Sequence, residues 1–171
     1  MRDINKNWFI VAIAIIILLV GAITWVMFFS PEPKRDMEDP VPLPQEMNLT
    51  SPEAAVRSYL AWVTYAYRTM NSEIATPTMT PDEASRISYY ITANRSEDKI
   101  LNQRLDSLKF SNIHVSDAVA TVIADEAWIY NYQSEKTGNF DELQTVEYEA
   151  TYTLILVEGM WKVQSVDAAE K

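Results

Sequence analysis

The 171-residue chain carries 14 Lys/Arg against 24 Asp/Glu, a formal net charge of −10, with no cysteine and one histidine, His114. The missing cysteine excludes a disulfide framework, a thiolate metal site and a thiol nucleophile, and a lone histidine argues against a His-rich zinc site or a Ser/His/Asp triad within this chain. From residue 51 onward ten Lys/Arg stand against eighteen Asp/Glu, net −8. Such a surface repels nucleic acid and anionic lipid headgroups and otherwise serves solubility, so no nucleic acid, metal or other cofactor is expected.

In chain order, residues 1–7 form a short polar tail with Arg2 and Lys6. Residues 8–29, WFIVAIAIIILLVGAITWVMFF, carry no charge. A helix of that length is about 33 Å long, which matches a hydrocarbon core about 30 Å thick. The apolar run is too long for a cleaved signal peptide and ends in bulky side chains, so an uncleaved transmembrane anchor is expected. Trp8 and Trp25 mark its two interfaces, with Phe28 and Phe29 closing the far end. Arg2 and Lys6 balance Lys34 and Arg35, but a short tail before a signal-anchor stays in the cytoplasm, which puts the remainder outside it. The span has no intramembrane charge, hence no ion path of its own, and meets membrane lipid as a plain anchor.

Residues 30–50 contain five prolines, Pro31, Pro33, Pro40, Pro42 and Pro44. That density gives an extended, semi-rigid linker. Residues 51–171 then form one α+β domain. Its first helix starts at Ser51-Pro52-Glu53, an N-cap, a first-turn proline and an acid at the positive end of the dipole. Apolar positions recur at Ala55, Val56, Tyr59, Leu60, Val63, Ala66, Tyr67 and Met70. A second helix starts at Thr80-Pro81-Asp82-Glu83, where Thr80 and Glu83 have capping-box spacing, and turns Ala84, Ile87 and Ile91 inward. A short further helix is expected within 96–105.

After that the period changes from helical to two. Residues 108–115, 118–132, 145–157 and 160–166 read as four strands of a curved, mainly antiparallel sheet. In the third, Val146, Tyr148, Ala150, Tyr152, Leu154 and Leu156 share one face, against Thr145, Glu147, Glu149, Thr151 and Thr153 on the other. Ser116-Asp117 and Glu158-Gly159 are hairpin turns, and 133–143 is a longer loop around Gly138. Helices first and a strand meander second make an α+β fold.

Two helices followed by long strands, closing with YEATYTLILVEGMWKVQSV, resemble the nuclear transport factor 2-like superfamily, the cone-shaped fold of ketosteroid isomerases, SnoaL-type cyclases and many non-enzymatic modules. The residues that carry the resemblance are Tyr148 and Tyr152 in one strand, the Glu158-Gly159 turn, and Trp161 and Val163 pointing back inward. It covers about residues 51–168. Among membrane-tethered members its strands are similar to those of the inner-membrane-spanning domain of plastid and cyanobacterial division proteins. It is also similar to the bitopic periplasmic subunits of type IV secretion systems. In those relatives the cone is a docking surface.

The enzymatic relatives place an acid or base inside the cone, and the resemblance makes Asp125 the candidate here, on a strand face with Ile123, Ala127 and Ile129. His114 is its only conceivable histidine partner. The alternative inward set on that strand is Val122, Ala124, Trp128 and Tyr130, which would leave Asp125 on the open face. Trp128, Tyr130 and Tyr132 gather near the tip of a long strand, where exposed aromatics would be anchors for another protein. The reading is a non-catalytic, single-pass membrane protein whose extracytoplasmic cone domain is an accessory or docking module of a larger membrane complex. Integral membrane proteins are the expected partners, and self-association is the mark of a secretion-type subunit. The alternative is a small-molecule-binding or isomerase/cyclase-type domain that uses the cone's pocket.

Overall fold

The computed structural model describes residues 42–171. The expected tail, the transmembrane helix with Trp8, Trp25, Phe28 and Phe29, and most of the linker lie outside the described residues. Among the described residues no helix is long and apolar enough to cross a membrane. The described elements run α1 (Pro52–Thr69), a 3₁₀ segment (Ser72–Thr78), α2 (Pro81–Ser96), β1 (Ile100–Ser116), β2 (Val119–Gln133), β3 (Gln144–Val157) and β4 (Met160–Glu170). This is α+β, helices first and then a four-stranded antiparallel sheet in the order β1-β2-β3-β4.

α1 begins as its sequence dictates. Ser51 is extended, its hydroxyl accepts the Ala54 N–H at 3.3 Å, and Pro52 occupies the first turn. The helix stops at Met70, whose left-handed φ of 54° turns its N–H back to the Ala66 and Tyr67 carbonyls. Just before α1, Leu49 is buried and its carbonyl accepts the Trp161 N–H at 2.9 Å. The backbone N–H of Asn48 bonds the Ser58 hydroxyl at 2.8 Å. The end of the linker is thereby tied into the core.

α2 starts at the expected place but without the expected capping box. Thr80 makes no side-chain capping bond, and Glu83 turns inward instead of back to the Thr80 amide. The buried Glu83 finds stronger donors there than a first-turn N–H, as described below. The short helix expected within 96–105 is absent. α2 ends at Ser96, Asp98 turns the chain with φ of 62°, and β1 runs from Ile100. The reason is two-residue periodicity: Leu101, Gln103 and Leu105 face the same side as β2's Tyr132, Tyr130 and Trp128, their register partners. Register shifts at 105/107 and 110/112 let this 17-residue strand bend around the helices.

The inward face of the sheet is read directly from alternation. Ala120, Val122, Ala124 and Trp128 of β2, Ala150, Tyr152 and Leu154 of β3, and Trp161 and Val163 of β4 are all buried. They form one cluster with Val56, Tyr59, Leu60 and Val63 of α1 and with Ile87 and Ile91 of α2. Ala124 and Ala150 are direct cross-strand partners, both fully buried. Both hairpins are tight: Asp117 takes φ of 52°, and Glu158-Gly159 takes 51° and 79°. Two successive positive φ values favour glycine at the second position, where Gly159 stands.

Candidate functional site

The inward face of β2 carries one charged residue. Glu126 lies between Ala124 and Trp128, 5% exposed. Its Oε1 accepts the Tyr152 hydroxyl proton, and its Oε2 accepts the Trp128 indole N–H at 2.8 Å. Burial pushes the Glu126 carboxyl above its ordinary value, with the two hydrogen bonds pulling the other way. Burial also pushes the Tyr152 hydroxyl far up, and the neighbouring carboxylate adds to it, so the phenol remains a proton donor at neutral pH.

A second buried carboxylate comes from α2. Glu83 is 2% exposed and accepts the Tyr59 hydroxyl proton on Oε1. Arg86, one turn on, grips it in a fork, Nε to Oε2 at 2.8 Å and Nη2 to Oε1 at 2.6 Å. The hydrogen bond to Glu83 raises the Arg86 guanidinium above its ordinary value, and burial raises the Tyr59 hydroxyl. The rings of Tyr59 and Tyr152 meet edge to face, 6.1 Å between centroids at 74°. Two hydrogen-bonded groups therefore meet across the core, Arg86–Glu83–Tyr59 and Tyr152–Glu126–Trp128, joined by the ring contact of the two tyrosines. Every carboxylate oxygen in them has a donor, which is what lets these charges be buried.

The structure separates the sequence-predicted residues. Asp125 lies on the outer face of the sheet, where its carboxylate pairs with Lys171, and that hydrogen bond holds its pKa below the ordinary carboxylate range. An outward, ion-paired carboxylate is no acid for the cone interior, so the second inward set, Val122, Ala124, Trp128 and Tyr130, is the one adopted. His114 is exposed and pairs in register with Thr121, four positions along β2 from Asp125 and so about 13 Å away. The two do not meet. Trp128 is 7% exposed. It is a core residue rather than an exposed anchor, because Leu105 and Val146 flank it in register on the inward face. Tyr130 and Tyr132 are half-buried.

Tyr130 and Tyr132 continue the inward face to the mouth of the cone and, with Tyr90, Leu101, Gln103, Trp128, Val146 and Tyr148, line a cavity of about 180 Å³. The Tyr130 hydroxyl donates to Gln144 Oε1 at 2.7 Å, and the Tyr90 and Tyr132 hydroxyls share a bond of 3.3 Å. Burial, followed by the Tyr90 hydrogen bond, raises the Tyr132 pKa. Tyr67 packs against Tyr90, ring centroids 5.1 Å apart and planes tilted by 56°. Among the described residues no cluster of three His, Cys, Asp or Glu is placed to hold a metal.

Sequence reasoning missed Glu126 and Glu83. The signal for Glu126 was present: an acid standing at the gap in the alternation Val122, Ala124, Trp128, Tyr130. Glu83 was hidden by a capping-box spacing that accounts for an acid at that position without any tertiary partner.

No family model matches the chain, and no curated protein matches it. A solved structure shares its fold, and others superpose less well. The intermembrane space region of the chloroplast protein ARC6 superposes with a TM-score of 0.63 at 13% identity, over 74% of this chain and 99% of that one. A nuclear transport factor 2-like superfamily protein from Salmonella enterica serovar Typhimurium gives 0.47 at 13% identity, over 67% and 87%. A periplasmic fragment of TraM gives 0.48 at 12% identity, over 70% and 95%.

Proposed function

We propose that this chain is a single-pass membrane protein, N-terminus in the cytoplasm, whose extracytoplasmic cone domain is a non-catalytic docking module of a larger membrane complex. The observation that carries this reading is the state of the cone interior. Tyr59, Trp128, Tyr152 and Trp161 fill it, and Glu126, the one acid on the inward face of β2, already accepts hydrogen bonds on both oxygens. An isomerase- or cyclase-type use would need Glu126 released from Tyr152 and Trp128 and a substrate-sized space beside it. The fold shared with the ARC6 intermembrane space region is compatible with a domain held beside a membrane and says nothing of the partner.

The test is extraction of the native protein in mild detergent, size separation and identification of co-migrating chains. Recovery of a reproducible set of integral membrane proteins is the expected result. Migration as a lone chain or a simple homo-oligomer would remove the reading's support.

A further inference from the structure

The mouth cavity is walled by aromatic rings. Tyr90 of α2, Trp128, Tyr130 and Tyr132 of β2 and Tyr148 of β3 converge on it. Tyr130 and Tyr132 meet edge to face, 6.2 Å between centroids at 84°, both on the cavity lining. Ring faces are the negative ends of aromatic quadrupoles, so several around one space attract a cation. The floor reinforces this. The Trp128 indole donates its N–H to the Glu126 carboxyl at 2.8 Å, which feeds electron density into that ring. Outside the cavity, Lys99 Nζ lies 5.6 Å from the Tyr132 centroid and bonds Glu97 at 2.8 Å.

Size and hydrogen bonding narrow the cation. A volume of about 180 Å³ equals about six water molecules at ~30 Å³ each, which suits the planar end of one arginine side chain. Gln103 gives its amide N–H to Thr64 at 3.3 Å, which leaves its carbonyl oxygen without a partner among the described residues. The Tyr90 and Tyr132 hydroxyls share one hydrogen bond and retain acceptor capacity. A guanidinium brings several N–H donors to such acceptors, whereas a quaternary ammonium brings none and a lysine ammonium is a compact, strongly hydrated charge that does not stack. The domain's net charge of −8 draws a basic partner toward the site.

We infer that the mouth of the cone receives an arginine side chain of a partner protein, its guanidinium among Trp128, Tyr130 and Tyr132. This rests on the docking reading and gives that reading a contact point. The experiment uses the full chain in detergent and follows the Trp128 indole N–H resonance, assigned by its loss in Trp128→Phe. N-acetyl-arginine amide is expected to shift and saturate that resonance. N-acetyl-citrulline amide, uncharged and of nearly the same shape, is expected to leave it in place. Tyr130→Phe should retain the affinity, and Tyr130→Leu should weaken it about two- to fivefold, the worth of one exposed cation–π contact. Equal responses to both amides, no response to either, or tighter binding of choline than of the arginine amide would overturn the inference. Such a result alongside intact recovery of membrane partners would leave the docking reading standing. Arginine binding without any co-migrating chain would uphold the arginine site and remove the docking reading.

Discussion

Tyr59 of α1 and Tyr152 of β3 meet edge to face at 6.1 Å, and each donates its hydroxyl to a different buried glutamate, Glu83 and Glu126. One aromatic contact thus joins two carboxylates from separate layers of the fold. Burying a carboxylate is costly unless its oxygens are bonded, and here the tyrosines satisfy them while their rings complete the apolar packing. The arrangement makes α1 the link between helix layer and sheet in polar as well as apolar terms.

Glu126 sets a pH dependence whose sign follows from its environment. Its pKa in the folded chain lies above the ordinary value of 4.5. The folded state therefore binds more protons than the unfolded state over the window that opens above pH 4.5, and stability falls as pH rises through it. In Glu126→Gln this contribution is gone. The stability advantage of the parent chain over the variant should be largest below pH 4.5 and shrink as pH rises, in urea unfolding measured across a pH series. An advantage that grows with pH would show that the hydrogen bonds from Tyr152 and Trp128 outweigh burial.

Arg86 is half-exposed, yet it holds the buried Glu83 through two short bonds. Arg86→Ala leaves Glu83 with Tyr59 alone and should cost about 1–3 kcal/mol, toward the lower end because water screens the exposed part of the guanidinium. Arg86→Lys should recover only part of the loss, since an ammonium cannot reproduce the fork. Chemical denaturation of the three proteins at neutral pH gives the comparison, and full recovery by lysine would show that charge alone suffices.

Trp128 illustrates why burial decides what a mutation means. With 7% exposure and a bond to Glu126, Trp128→Ala should destabilise the domain by about 3–5 kcal/mol through a cavity and a lost donor. Tyr132→Ala, at the half-buried mouth, should cost less. Thermal or urea unfolding of both variants checks the order. Loss of partner recovery with Tyr132→Ala in a folded protein is then the cleaner sign of a docking role.

The helix starts, the hairpin turns and the alternating faces of β3 were legible in the sequence because they rest on local chemistry: a serine cap before proline, a glycine where φ must be positive, and side chains that alternate with a period of two. β1 from Ile100 was less legible. Its early residues mix Asn102, Gln103 and Arg104 with leucines, and only pairing with β2, bent by two register shifts, makes them a strand. The same limit governs the site. Sequence alternation left two possible inward faces for β2, and a one-residue difference exchanges Asp125 for Glu126. Local spacing offered Glu83 a partner at Thr80, and tertiary packing gave it Tyr59 and Arg86 instead. By itself the sequence determined the order of the two long helices and the four strands, the inward Tyr152 and Trp161 and the net acidic charge, since each follows from residue type and short-range spacing. Only the tertiary structure decided which carboxylates are buried and which rings face the open mouth, because both depend on strand register and on side chains more than twenty residues away.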